Sequence, residues 1–374
     1  MKKIALINAH IIDPAQKINK VGSIIIDKKK VSKLVFTKKV HFNKETYNIL
    51  DCKNLVLCPG FIDLKCHLRV PGQEYKENLS YASKSAASAG ITSLVCMPNT
   101  DPIIDNVSIV ELLQRKARKE SDVKIFSTAA ITKKMLGKEL TEFGLLKEAG
   151  AVGFTDAIKA VDDSLVMMRA LKYASAFDIL LLQHPEEASL SENGTMNSGL
   201  LSTELGLRGI PEEAEVIQVE RDIRLAEMTN GKIHFFNITT KLALESIINA
   251  KERGVKVTCS TSPHYFNLTE EDIRKWRTYA KVSPPLRNKK NMEAIKIGIS
   301  KKVIDCITSD HSPHDTDSKR LPFEQASTGI IGFESLLPLT LRLIKSKNLP
   351  LSELVELLSY RPAKILNLNT GNLK

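Results

Sequence analysis

From residue 57 onward, eight short apolar runs alternate with segments of helical period, and no other feature limits the fold as strongly. The runs cover residues 57–64, 93–97, 123–128, 151–155, 179–183, 232–238, 255–259 and 304–308. Helix-period segments fall at 81–89, 108–119, 145–149, 163–175, 212–228, 241–253 and 291–300. In 212–228, Val216, Val219, Ile223 and Ala226 form one apolar stripe. Pro211 precedes it, where a first-turn proline is tolerated. Two further helices are expected at 334–347 and 351–358. Eight strand–helix units point to an α/β chain folded as a (β/α)8 barrel. A doubly wound sheet is the competing architecture, but no Gly-x-Gly-x-x-Gly follows a strand. Residues 1–54 read differently, with short runs at 4–8, 22–26 and 47–50 between polar turns, and suggest a small β-module. The expected organisation is a β-module over 1–54, a barrel over 55–368 and a tail over 369–374.

The chemistry of such a barrel collects at the C-terminal ends of its strands. Residues 55–72 are the richest of these ends. An apolar run passes Pro59-Gly60 and finishes in Asp63, Lys65, His67 and Arg69. Side chains two apart on a strand share a face, so these four are expected to point into the barrel together. The remaining ends supply Asn99, Asp156, His184, Asn237, His264 and the segment Asp310-His311-Ser312-Pro313-His314. Histidines and carboxylates after several strands make a metal-hydrolase constellation. A lone histidine is more often structural; the set in barrel order carries the inference.

Composition excludes several classes. The 374 residues hold no stretch of 18 apolar residues, so no membrane span is expected. The N-terminal Met1-Lys2-Lys3-Ile4 run reads as a strand, not a signal peptide. Six scattered cysteines without a Cys-x-x-Cys pair fit a reducing cytoplasm. The net charge of +11 could serve nucleic acid, but the lysines are mixed with glutamates on helix faces, so no nucleic-acid partner is expected. Two long loops stand out, 185–210 and 312–332, the second a candidate lid.

Seven stretches resemble the class I dihydroorotases of the amidohydrolase superfamily, a likeness that runs from Leu55 to about Leu368. They are Pro59-Gly-Phe-Ile-Asp63, His67-Leu-Arg69, Pro71 to Glu77, Met97-Pro-Asn-Thr100, Leu205 to Pro211, Ser283 to Arg287 and Ser309 to His314. The resemblance implies a zinc-dependent barrel that interconverts dihydroorotate and N-carbamoyl-aspartate. It also implies a β-sandwich built from both chain ends, which here would lack its C-terminal strands and leave edges needing cover. For the metal it implies His67, His184, Asp310 and, more loosely, Asp156, with Asp310 also the catalytic base. For substrate it implies Arg69, Asn99, His314 and the backbone at Gly329. Two family ligands are missing: Lys65 stands in place of the first histidine, and Asn237 in place of the sixth-strand histidine. Ser283 replaces a usual asparagine. His234 faces away from the Asn237 position and reads as a buried histidine, His264 as a support, and His311 as pointing away from Asp310.

A protonated lysine has no lone pair for a metal. Its ammonium is therefore expected to sit where a cation would have been, within salt-bridge distance of Asp310 or Asp156. Three readings stay open. One is a weak or inactive homologue serving as a partner of aspartate carbamoyltransferase. Another is a working mononuclear zinc dihydroorotase. The third is a related cyclic-amide hydrolase of shifted specificity. Each implies a small acidic substrate, and a homo-oligomer is expected.

Overall fold

The computed structural model describes residues 2–37, 42–347 and 349–374. A five-stranded sheet comes first: β1 (Lys3–Asp13), β2 (Ile18–Asp27), β3 (Lys30–Val35), β4 (Tyr47–Asp51) and β5 (Val56–Leu57). Its order is β3-β2-β1-β4, with β5 beside the far half of β1. Lys28 and Lys29 both have positive φ, as a two-residue hairpin turn requires, and they return the chain from β2 into β3. The sequence reading missed β3. Ala9, Ile11 and Ile24 form the sheet's small core, against which Leu373 packs.

The remaining long strands are all parallel. They are β6 (Phe61–Cys66), β7 (Ile91–Cys96), β8 (Lys124–Ala129), β9 (Ala151–Phe154), β10 (Leu180–Gln183), β13 (Lys232–Phe235), β14 (Val257–Thr261) and β15 (Cys306–Ile307), with the two-residue pair β11 (Met196–Asn197) and β12 (Gly209–Ile210) lying in the loop after β10. The eight run in chain order around a barrel. Its seam, between β6 and the segment after β15, is closed by a parallel bridge from Cys66 to His311. Asp63 reinforces the seam by accepting hydrogen bonds from the Ser309 N–H at 2.9 Å and from the Ser309 hydroxyl.

Two hydrophobic layers hold the barrel. The outer one joins helices to strands through residues such as Phe61, Leu94, Phe154, Leu181, Val219, Ile223 and Ile247. The inner one stacks Leu64, Val95, Leu182, Phe236 and Cys306, with Leu366 beside them. Burying each such side chain contributes about 1.5–3 kcal/mol.

One strand reading is corrected. The 57–64 run is not a single strand: Val56–Leu57 pairs with β1, and the barrel strand begins at Phe61. Pro59 has no N–H to give a ladder, and it separates the two pieces. The four-residue face is corrected as well. β6 ends at Cys66 with an irregularity between Asp63 and Cys66, and Arg69 has φ +59°. Strand alternation therefore does not govern His67 and Arg69.

The long loops are ordered by buried cations. Arg287 donates from Nη1 to Asn197 Oδ1 at 2.9 Å and to the Ile210 carbonyl at 3.0 Å, pinning the 185–210 segment. Lys281 Nζ donates to the Glu324 and Ala326 carbonyls, and Lys319 Nζ to those of Ser327 and Gly329. The 312–332 segment, expected as a lid, is thus tied down at four carbonyls.

Candidate functional site

Lys65 is buried at the end of β6, 1% exposed, and its Nζ lies 2.9 Å from Asp310 Oδ1. The ammonium also sits over the Phe236 ring, 5.6 Å from its centre. Asp310 has φ +53° just beyond β15, a conformation an aspartate tolerates better than most residues. His264 Nε2 is 3.5 Å from the other carboxylate oxygen. Burial pushes the Asp310 carboxyl up, but Lys65 first and then His264 outweigh it and hold the group well below the usual carboxylate range. The expected ion pair is present, with Asp310 as its partner.

Asp156, the alternative partner, is engaged elsewhere. Its carboxylate accepts from the Thr132 N–H at 3.0 Å and from the Thr132 hydroxyl. Burial raises its pKa to about 6 against those bonds.

The two expected histidine ligands are each hydrogen-bonded through one ring nitrogen. His67 Nδ1 lies 2.8 Å from Asn99 Oδ1, an acceptor, so the imidazole carries its proton on Nδ1. Burial, then Arg69 and Lys65, pull its pKa down to about 3. His184 Nε2 is 3.0 Å from the Ser283 hydroxyl, while its Nδ1 is buried with no partner among the described residues. Burial and then Lys65 lower His184 to about 3 as well. Asn237, at φ +51°, accepts from the Ser262 hydroxyl at 2.9 Å, and its Nδ2 is unsatisfied.

The expected substrate clamp is also internally engaged. Arg69 donates from Nε to the Pro313 carbonyl at 3.1 Å and from Nη2 to Ser312 Oγ at 2.8 Å. Its Nη2 is 3.2 Å from His314 Nε2, which lies 2.9 Å from the Thr328 carbonyl. None of these partners is a carboxylate. Burial lowers Arg69 to about 10 and His314 to about 4. The Gly329 N–H is bonded to the Lys281 carbonyl at 2.9 Å.

His234 and His311 are structural. His234 contacts Thr258 Oγ1 at 2.8 Å and Ser260 Oγ at 3.1 Å, with its ring edge-on to Phe236. His311 turns from Asp310 to reach Glu77 at 2.8 Å and stacks on Phe333.

A cavity of about 230 Å³ opens among these groups, lined by Lys65, His67, Glu186, Ser283, Asp310 and Ser312, with Gly329 at its wall. Asp156, Arg69, Asn99 and His314 do not line it. Sequence reasoning missed Glu186 and Ser312. Glu186 was within reach, because it follows His184 by two residues.

These donors do not fit a metal. Among the described residues, no three His, Cys, Asp or Glu side chains are gathered as ligands would be. An ammonium occupies the carboxylate that would anchor the ion, and like charge repels a divalent cation. What the cavity offers is a fixed cation–carboxylate pair, the neutral imidazole of His67, the hydroxyls of Ser283 and Ser312, and a second carboxyl group at Glu186.

A family profile described as dihydro-orotase-like matches residues 54–243. The chain is 43% identical to a dihydroorotase of Acetivibrio thermocellus over 98% of its own length and 85% of that protein. It is 47% identical to a dihydroorotase of Geobacter sp. strain M21 over 87% of its length and 76% of the relative's. Among solved structures, L-hydantoinase from Arthrobacter aurescens superposes with a TM-score of 0.85 at 21% identity, covering 100% of this chain and 85% of the other. Dihydropyrimidinase from Brevibacillus agri NCHU1002 gives 0.83 at 19%, covering 100% and 84%. At these identities the two structures speak for the barrel fold alone.

Proposed function

The chain belongs to the dihydroorotase-like family, and we propose that it is a member whose metal site has been replaced by an internal ion pair. On this reading it is weak or inactive as a hydrolase. It keeps a pocket for dihydroorotate or N-carbamoyl-aspartate and acts beside aspartate carbamoyltransferase in pyrimidine synthesis. The observation that carries the proposal is the 2.9 Å contact between Lys65 Nζ and Asp310 Oδ1. A general base must offer a free lone pair near the attacking water. Asp310 instead shares its charge with a buried ammonium and is strongly acidic, which makes it a poor base.

A second reading has support of its own. His67, His184 and Asp310 stand at family ligand positions, and relatives 43% identical carry the name dihydroorotase. A mononuclear zinc enzyme would require Lys65 to leave Asp310, while His67 and His184 could ligate through their other ring nitrogens and keep Asn99 and Ser283. A related cyclic-amide hydrolase would require the same rearrangement.

Turnover of dihydroorotate separates the readings. The purified chain should hydrolyse it at no more than about a hundredth of the rate of an active relative, and addition of aspartate carbamoyltransferase should yield a co-eluting complex. Full activity in the isolated chain would reject the proposal.

A further inference from the structure

We infer that Glu186 is a specificity-determining residue, accepting the N–H groups of a ligand that carries an amide or ureido function together with a carboxylate. The inference rests on the reading above that the cavity takes a small acidic ligand.

Glu186 follows β10 and lines the cavity with Lys65, His67, Ser283 and Asp310. Its backbone N–H is bonded to the His184 carbonyl at 3.0 Å, a short return that fixes the residue at the strand end. Among the described residues its carboxyl has one hydrogen-bond partner, the Ser283 hydroxyl, at a long 3.5 Å. That hydroxyl is 3.0 Å from His184 Nε2. Because a hydroxyl has a single proton, it cannot serve both neighbours at once. If it donates to His184, the Glu186 carboxyl has no donor within bonding distance. A carboxyl carries several acceptor sites, and Glu186 is half-buried at the cavity wall, so those sites are open to N–H donors of a ligand. The other acidic group of the cavity, Asp310, is already paired with Lys65.

The lining therefore carries two unlike kinds of group. The Ser312 hydroxyl, and the Lys65 N–H groups beyond the one that meets Asp310, suit a carboxylate. Glu186 offers acceptor oxygens and suits N–H donors. A simple dicarboxylate meets the first kind and brings repelling charge or nothing to the second. A carbamoylated amino acid or a cyclic amide acid meets both.

Calorimetry on the full chain tests this with two ligands, N-carbamoyl-aspartate and succinate, which share the two carboxylates but differ in the ureido group. The wild-type chain should prefer N-carbamoyl-aspartate. Glu186→Ala should weaken that ligand about tenfold, the loss expected for a hydrogen bond to a charged group, and change succinate by less than about twofold. Glu186→Gln, of equal size, should show the same selective loss to a smaller extent and serves if the alanine variant fails to fold. Equal weakening of both ligands, or no change in either, would overturn the inference. A wild-type chain that binds neither ligand would overturn the retained pocket itself, an outcome distinct from binding that ignores Glu186.

Discussion

Lys65 and Asp310 decide each other's chemistry. A buried carboxylate with no cation would be raised and ready to take a proton or hold a metal; beside Lys65 it does neither. Removing the lysine should therefore restore affinity for metal. Lys65→His returns one imidazole, and Lys65→His with Asn237→His returns four histidines, at 65, 67, 184 and 237. The double variant should gain more zinc affinity than the sum of the singles, because the two changes share one site. Titration with a fluorescent zinc indicator would show this; additive or absent gains would count against a single coupled site. Arg69 gives a second test. Its guanidinium is held by Pro313, Ser312 and His314 outside the cavity lining, so Arg69→Ala should change N-carbamoyl-aspartate affinity in calorimetry by less than about 1 kcal/mol, and a loss of about 2–5 kcal/mol would show that it turns to meet the ligand's carboxylate as a buried pair. Much of this was legible from residue types. The loss of a lone pair at Lys65 and the surplus charge at Asp310 follow from the sequence and elementary chemistry. The turning of Asp156 towards Thr132 was not legible, since no rule of spacing links a carboxylate to a hydroxyl 24 residues away.

At the scale of strands and loops, the barrel seam depends on Asp63. Its carboxyl is raised to about 6, burial outweighing the Ser309 and Lys65 hydrogen bonds that favour the charge. Asp63→Ala would leave the Ser309 N–H and hydroxyl unpaired in a buried place, at a cost of about 2–4 kcal/mol in urea unfolding. The inner layer gives a pH prediction. Burial, then Lys251, drives His234 down to about 3. The folded chain keeps it neutral, while the unfolded chain takes up a proton below about pH 6.5. Its contribution is thus complete above about pH 6.5 and is lost as pH falls towards 3. Between pH 6.5 and 5 the loss is about 2 kcal/mol. His234→Leu should lose that much less stability over the same interval, and identical pH slopes would contradict the assignment. Eight strands were readable because a parallel strand covered on both faces is a short apolar run. Two features were hidden. Val56–Leu57 looks continuous with the barrel strand until pairing separates it. The pinning of 312–332 depends on lysines that in sequence look like surface charge.

For the whole molecule, the alternation of strands and helices led to the barrel, and the family's structural neighbours share that architecture. Family membership does not carry the chemistry with it, because function resides in the site grafted on the fold. On the proposed reading the fold is kept while the Lys65–Asp310 pair takes the place of the metal at the mouth of the barrel. The most direct test is the zinc content of the purified chain after dialysis against excess zinc and removal of free ion. Occupancy of Asp310 by the Lys65 ammonium predicts well under one equivalent per chain, and no rise in thermal stability on adding zinc. One or more tightly held equivalents would contradict it.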